Sequence, residues 1–322
     1  MAKLEEEMKK GAIIALQEVS MTWSGPLHSL FQNRDYHFVL HLYGGKHSNY
    51  MGVGVAVPNA RYEVLGTSIE RLSDTKRWPR APPPARWRRV ADAAAGPFVG
   101  LWRRLWGWKP PTDPMEYSRR RFNSVVFLRL RDRATGDTFC AATYHMPCAF
   151  WSPPVMATHV ALALQHVQRK VSPREPRRER GDGGLTWKNK QKASGDEVAL
   201  VGDFNIKPGD PTYRLITEGR LAEDDPTFPP VPSFDPWDPN AIDYGMASAY
   251  KAVLGAEPDF TNFAQIKGGA PFVDTLDYIF VSPGMTPVAV DPLPAREDVG
   301  GPLPNADEPS DHIMLGAEIQ LA

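Results

Sequence analysis

Cysteine is scarce in this chain, with only Cys140 and Cys148 among 322 residues. Two thiols cannot build a disulfide framework. Neither lies in a C-x-x-C pair or a Cys/His cluster, which excludes a disulfide-stapled mini-domain and a zinc site of the usual spacing. Long apolar runs are absent too. None approaches the roughly 18 residues that span a bilayer, and the opening MAKLEEEMKKG is too acidic for a transit peptide and lacks a signal-peptide core. The expectation is a cytoplasmic protein, with a mitochondrial or nuclear address only if an N-terminal extension is missing. No repeat recurs at a fixed period, which excludes solenoids. Net charge nearly vanishes, at 37 Lys and Arg against 38 Asp and Glu. With 42% hydrophobic and 10% aromatic residues, the chain is no disordered polyelectrolyte and can bury a sizeable core.

The charge balance is a cancellation. Residues 1–192 carry 31 basic and 16 acidic side chains, or +15, whereas 193–322 carry 6 and 22, or −16. Such a split suggests an anionic partner on one part and a cation held by carboxylates in the other; solvated surface charge is the plain alternative.

The pattern of elements is mixed α/β. A helix over 2–10 precedes the apolar run AIIAL (Ala12 to Leu16), and YHFVLHLYG, MGVGVAVP, SVVFLRLR and TFCAATYH read as strands. The last two face each other across RDRATGD, a hairpin signal. A helix is expected over 155–170 after two prolines, then strand EVALVG, a helix over 211–218, and strands over 276–282 and 313–321. One domain, 1–322, accounts for all of them. Two stretches interrupt it: 76–121, with 12 basic residues, 3 acidic residues and five tryptophans, reads as an insertion, and 169–195, around PREPRRERGDGG, reads as a flexible basic loop. Within the insertion, Phe98, Leu101, Trp102 and Leu105 share one helical face. Residues 98–109 could therefore meet a partner or a membrane surface, or pack on the protein's own body.

Chemistry gathers at strand ends. Glu18 in LQEV follows the first apolar run. In GDFN, extended spacing points Asp203 and Asn205 the same way, with Phe204 turned into the core. Asp277 interrupts the apolar TLDYIFVS, and a buried carboxylate needs a partner. Asp311 and His312 precede the last strand, and His145 ends TFCAATYH. Each alone has a structural alternative: a surface Glu, a turn Asp or Asn, a satisfied interior His.

Taken in order, LQEV, His145, GDFN, LDYIF and SDH resemble the endonuclease/exonuclease/phosphatase superfamily, the DNase I-like fold. Within it, SAYKAVLGAEPDFTNFA followed by DTLDYIF, and the approach PLPAREDVGGPLPNADEPSDH, are similar to carbon catabolite repressor-type deadenylases, nocturnin, Angel and 2′,5′-phosphodiesterase. The resemblance implies a four-layered α/β sandwich of two packed mixed sheets flanked by helices. It also implies hydrolysis of an RNA 3′ end, such as poly(A), with release of 5′-mononucleotides. Glu18 would hold Mg²⁺, or Mn²⁺ in its place, with Asp311 at the metal shell. Asp203 would accept the proton of the water or position it, Asn205 would hold a non-bridging oxygen or help to place the water, Asp277 would fix the tautomer of His312 and stabilise its protonated form for donation to the scissile phosphate, and His145 would bind the phosphate from the opposite side. Asn262 and Phe272 would hold the terminal base, Phe272 by stacking.

One departure stands out. In the superfamily a first strand precedes the helix before LQEV and supplies an Asn to the metal site, whereas this sequence opens at Met1 inside that helix. It is therefore either a fragment, a chain in which another segment substitutes, or one with impaired metal affinity. Two further functions follow as alternatives: another hydrolase of the superfamily, acting on abasic DNA, a phosphoinositide or a nucleotide, and a catalytically impaired RNA-binding module.

Overall fold

The computed structural model describes residues 2–46, 49–79, 83, 113–172, 179–181, 184–186, 196–266 and 268–321. Helix α1 (Ala2–Lys10) leads into strand β1 (Ile14–Val19), helix α2 (Met21–Gln32), and strands β2 (Tyr36–Leu42) and β3 (Gly52–Pro58). These strands form an antiparallel three-stranded sheet in the order β1-β3-β2. Next come β4 (Tyr62–Arg71), α3 (Pro114–Arg120), β5 (Ser124–Asp132), β6 (Thr138–Tyr144) and α4 (Pro153–Val171). A short ribbon, β7 (Glu179–Gly181) with β8 (Gly184–Thr186), precedes β9 (Glu197–Asp203) and α5 (Pro211–Glu218). The chain closes with β10 (Ala247–Ser248), α6 (Ala249–Leu254), β11 (Asn262–Ala264), β12 (Phe272–Asp274), β13 (Asp277–Val281), β14 (Met285–Val290) and β15 (Ala317–Leu321). The large sheet runs β10-β13-β9-β6-β5-β4 and is mixed, because β6 and β9 are parallel while their other neighbours are antiparallel.

Three apolar clusters separate four layers, as the resemblance implied. Between the sheets, Val53, Val55 and Val57 of β3 meet Val126, Leu128 and Leu130 of β5 and Ala141 of β6. Alternation turns the intervening residues the other way: Ala56 joins Met8 of α1 and Leu27 and Phe31 of α2 in a second cluster. Beyond the large sheet, Val125, Phe127, Cys140, Ala142, Val198 and Leu200 pack under α4 and α5. Each buried aliphatic or aromatic side chain contributes about 1.5–3 kcal/mol, so these interfaces hold the layers together. The small residues of β3 have a reason as well. A Cβ on Gly54 would stand 2.7 Å from Phe38 Cε2.

The local expectations hold for α1, the β5–β6 hairpin, α4 and α5. The last strand starts at Ala317 rather than at 313, because Ile313 is buried and donates its backbone N–H to Thr261 O at 2.7 Å. Helix α2 contains Gly25 and Pro26, both poor helix signals, and exists because Leu27 and Phe31, one turn apart, bury against the small sheet. Among the described residues β1 pairs only with β3, and β15 only with β14, so each has one unpaired edge.

The stretch 76–121 enters and leaves through the body of the fold. Lys76 is buried, ion-paired to Asp235, with its Nζ 4.5 Å from the Trp78 ring centre and 5.1 Å from that of Trp237. Asp113 caps α3 by accepting from Met115 N at 2.9 Å. Residues 80–82 and 84–112, including 98–109, lie outside the described residues, as does most of 169–195 apart from the end of α4 and the β7–β8 ribbon. Among the described residues no helix is long and apolar enough to cross a membrane.

Candidate active site

The sheet topology brings three chain segments to one end. Parallel β6 and β9 finish together, placing His145 and Asp203 side by side, and antiparallel β13 begins there, with Asp277 in register opposite Asp203. Gly202 makes the close approach possible: its φ is +147°, and a Cβ there would stand 1.9 Å from Tyr144 O. Glu18 arrives from the other sheet. The β1–β3 register shifts between Leu16 and Val19, and Glu18 adopts φ 54°, a left-handed conformation at a bulge. Its side chain is 62% exposed, with Oε1 3.9 Å from His145 Nε2.

His145 Nε2 lies 3.4 Å from Asp203 Oδ2, so it joins the same cluster of acids. Asn123, which the sequence did not single out, donates its amide to His145 O at 2.8 Å and fixes that loop. Asp203 and Asn205 do come together, but not by extended spacing. Asn205 has φ 51°, and its backbone N–H donates to Asp203 Oδ1 at 2.8 Å, a turn closed by the acid itself. The Asn205 side-chain amide donates to Met146 O at 3.1 Å, so at least one of its protons serves the backbone. Phe204 is buried in the core, as expected.

Across the cleft, Asp277 Oδ2 lies 2.7 Å from His312 Nδ1 and accepts the Thr261 hydroxyl at 2.7 Å. Thr261 Oγ1 in turn accepts Leu276 N at 2.9 Å and Asp277 N at 3.0 Å. This buried hydroxyl holds the acid that holds the imidazole. Thr261→Val should lower stability by about 1–3 kcal/mol in urea unfolding, since it removes the acceptor of the Leu276 and Asp277 amides and one of the two hydrogen bonds to Asp277 Oδ2. His312 Nε2 points toward Asp203, 4.0 Å from Oδ2. Asn262 forms a backbone bridge with His312 and donates its amide to Asp311 O at 3.2 Å, while its buried Oδ1 has no partner.

Electrostatics pull the two imidazoles apart. Burial disfavours charge on His312, but the hydrogen bond that its Nδ1 donates to Asp277 and the charges of Asp277, Asp203 and Asp311 outweigh it and raise its pKa to about 9. His145 moves the other way, down to about 4, through burial and then the charge of His312. Burial, reinforced by Asp277, lifts the Asp203 carboxyl well above its ordinary range, and burial lifts Glu18 as well. One imidazole is thus a cation at neutral pH and the other neutral, and the acid between them holds a proton more tightly than an ordinary carboxylate.

Donor atoms of Asp203, Asp277 and His312 lie within 4.8 Å of one another, a set that could hold a metal ion. The hydrogen bonds argue for a different division. His312 Nδ1 is taken by Asp277 and Asp203 Oδ1 by Asn205 N, and a protonated His312 is a poor ligand. Glu18 is the exposed carboxylate, raised by burial and, after the opposing charge of His312, by the charge of Asp311. Carboxylate oxygens are the donors a hard divalent cation takes.

Phe272 stands at the rim. Its ring centre lies 5.1 Å from Lys207 Nζ and 6.3 Å from the Phe150 ring. Thr261, Asn123, Lys207 and Phe150 were not singled out from the sequence. The FTN segment contains Thr261, whereas Asn123 carries no local signal.

Comparisons with known proteins bear on the family and the fold. The family profile described as "Endonuclease/Exonuclease/phosphatase family" matches residues 1–312. "Carbon catabolite repressor protein 4 homolog 4" of Arabidopsis thaliana is 38% identical over 134 residues, covering 38% of this chain and 27% of that protein. The "CCR4-Not complex 3′-5′-exoribonuclease subunit Ccr4" of Saccharomyces cerevisiae is 26% identical over 243 residues, covering 69% and 25%. The "2′,5′-phosphodiesterase 12" of Mus musculus is 28% identical over 215 residues, covering 62% and 29%. The matches thus span less than a third of each of these relatives. Among solved structures, ANGEL2, described as a 2′,3′-cyclic phosphatase, superposes with a TM-score of 0.65 at 18% identity, covering 99% of this chain and 85% of that one. The human nocturnin catalytic domain gives 0.59 at 16%, covering 99% and 85%. These superpositions show the shared fold. On the family match over nearly its whole length, the chain belongs to the endonuclease/exonuclease/phosphatase family.

Proposed function

We propose that the protein is a Mg²⁺-dependent phosphodiesterase that shortens RNA from its 3′ end and releases 5′-mononucleotides, with adenylate-rich or 2′,5′-linked RNA as substrate. The observation that carries this reading is the Asp277–His312 pair at 2.7 Å, with His312 Nε2 facing Asp203 Oδ2 at 4.0 Å. Relatives whose names specify 3′-5′-exoribonuclease and 2′,5′-phosphodiesterase activity support the choice of RNA.

Asp277 and Thr261 fix the His312 ring, so its protonated Nε2 donates to an oxygen of the scissile phosphate. His145 Nε2, on the Asp203 side, contacts a second phosphoryl oxygen. Asp203 accepts the proton of the attacking water as its oxygen bonds to phosphorus and the ester oxygen of the shortened RNA departs. Asn205 holds Asp203 through its backbone N–H and ties the His145 loop to β9. Asn262, with its free Oδ1, and Phe272 hold the terminal base. Glu18 and Asp311 would hold the divalent cation, which when bound supplies charge for the phosphoryl oxygens.

The test is incubation of a labelled oligoadenylate and a matched 2′,5′-linked oligomer with the protein and Mg²⁺, resolving products by length. A ladder of stepwise shortening with 5′-monophosphate release, abolished by chelation, is expected. Intact oligomers beside hydrolysis of an abasic duplex or a phosphoinositide would reject the RNA assignment.

A further inference from the structure

A row of aromatic side chains leads away from the candidate site, and the reaction just described leaves most of it unused. Phe150 and Trp151, 43% and 63% exposed, sit in the turn between His145 and α4. The Phe150 ring centre is 6.3 Å from that of Phe272, and Trp151 lies 4.8 Å from Tyr117 with the rings nearly perpendicular. Cations interleave them. Lys207 lies beside Phe272. The Arg121 guanidinium centre is 4.9 Å from the Tyr117 ring centre, and its Nη1 donates to Tyr117 Oη at 2.5 Å.

Large rings left in water cost hydrophobic stabilisation, so their retention in a row beside a reaction centre needs a reason. The turn that carries them is fixed: Ser152 N donates to Ala149 O at 2.8 Å, Val155 N donates to Ser152 O at 2.9 Å, and Ala149 is buried. Rigid rings lose little entropy when covered. The Lys207 ammonium is already ion-paired to Asp274 at 2.7 Å, but rings beside the Arg121 guanidinium match the bases and phosphates of a single nucleic-acid strand, whose bases expose π-faces and whose backbone is anionic. A purely apolar protein face would leave Arg121 without a counter-charge.

We propose that Phe150, Trp151 and Tyr117, starting from Phe272, form a stacking track for the nucleotides upstream of the scissile phosphate, with Arg121 contacting their backbone. This rests on the RNA hydrolase reading above. It makes the preferred substrate a single strand of at least three or so nucleotides rather than a free nucleotide or dinucleotide, since a dinucleotide reaches Phe272 and Phe150 only.

The experiment measures initial rates on diadenylate and octa-adenylate with the full chain and Mg²⁺. The wild type should show a KM at least about tenfold lower for the octamer. Trp151→Ala should raise the octamer KM by about 5- to 100-fold, the loss that one stacked base represents, and leave diadenylate kinetics unchanged. Trp151→Phe should recover most of the affinity, and melting temperatures of both variants should match the wild type, because the ring is exposed. Equal wild-type KM values for both oligomers, or a Trp151→Ala defect that is the same on both, overturns the track and leaves the hydrolase reading standing. Absence of turnover on the octamer in both its 3′,5′- and its 2′,5′-linked form overturns the hydrolase reading and the track with it.

Discussion

Asp203→Asn should lower turnover by about 10²- to 10⁴-fold, the range general-base catalysis contributes, while raising the melting temperature. The two effects share a cause. Asp203 is buried at the end of β9, and Asp277 stands directly opposite it in the sheet register. Burial and that neighbouring charge hold its carboxyl well above the ordinary range, so the folded state carries an acid in an environment that penalises its charge. Asparagine keeps an oxygen for the Asn205 N–H, has nearly the same volume, and removes the like-charge crowding. It cannot accept a proton. A gain in stability of about 1 kcal/mol is expected, as where a site is built for reaction at the expense of the fold. Thermal unfolding and single-turnover rates, measured on the same preparation, check it. A variant that loses stability and keeps more than a tenth of its rate would show that Asp203 is a structural acid.

Stability should also fall by a few kcal/mol between pH 7 and pH 5. Burial lowers the pKa of His159 to about 3 and those of His145 and His166 to about 4. His159 shows the cause. Its ring is enclosed between the Tyr144 hydroxyl, 2.9 Å from Nδ1, and Ser118 O, 3.2 Å from Nε2, with the charges of Arg121 and Arg71 nearby. Below about pH 6.5 the unfolded chain protonates these histidines and the folded chain does not, so each lowers folding stability by about 1.4 kcal/mol per pH unit until its folded pKa is reached. His312, raised to about 9, contributes in the opposite sense, but its stabilisation is complete below pH 6.5 and adds no further slope there. The raised Asp203 carboxyl offsets part of the loss. Urea unfolding at the two pH values measures the difference, and His159→Gln should flatten the slope by about 1.4 kcal/mol per unit. An unchanged slope in that variant would mean that the unfolded chain does not protonate His159 in excess of the fold.

Much of the scaffold was legible because its signals are local. The β-branched content and partial alternation of β5 and β6, the turn RDRATGD and the proline pair at the start of α4 each follow from neighbours in sequence. Helix α2 was illegible for the opposite reason. Gly25 and Pro26 argue against a helix, and only the sheet beneath Leu27 and Phe31 overrides them. The acids and imidazoles of the candidate site were legible as types, since a carboxylate inside TLDYIFVS needs a partner. Apart from the Asp277–His312 pair, which the resemblance implied, their partners were not. Nothing near Asn123 announces its bond to the His145 carbonyl, and nothing near Phe150 announces Phe272 beside it.

The strand ends at which polar groups emerge, and the kind of groups they are, follow from the amino-acid pattern, because periodicity and the cost of burying charge act within a few residues; the four layers followed from the family resemblance. The resemblance paired Asp277 with His312 and implied a protonated imidazole there, whereas the neutrality of His145 came from the fold. His312 Nδ1 donates to Asp277, while His145 is buried beside the resulting cation and its charge is disfavoured. That bond joins residues 35 positions apart in a chain folded across two sheets.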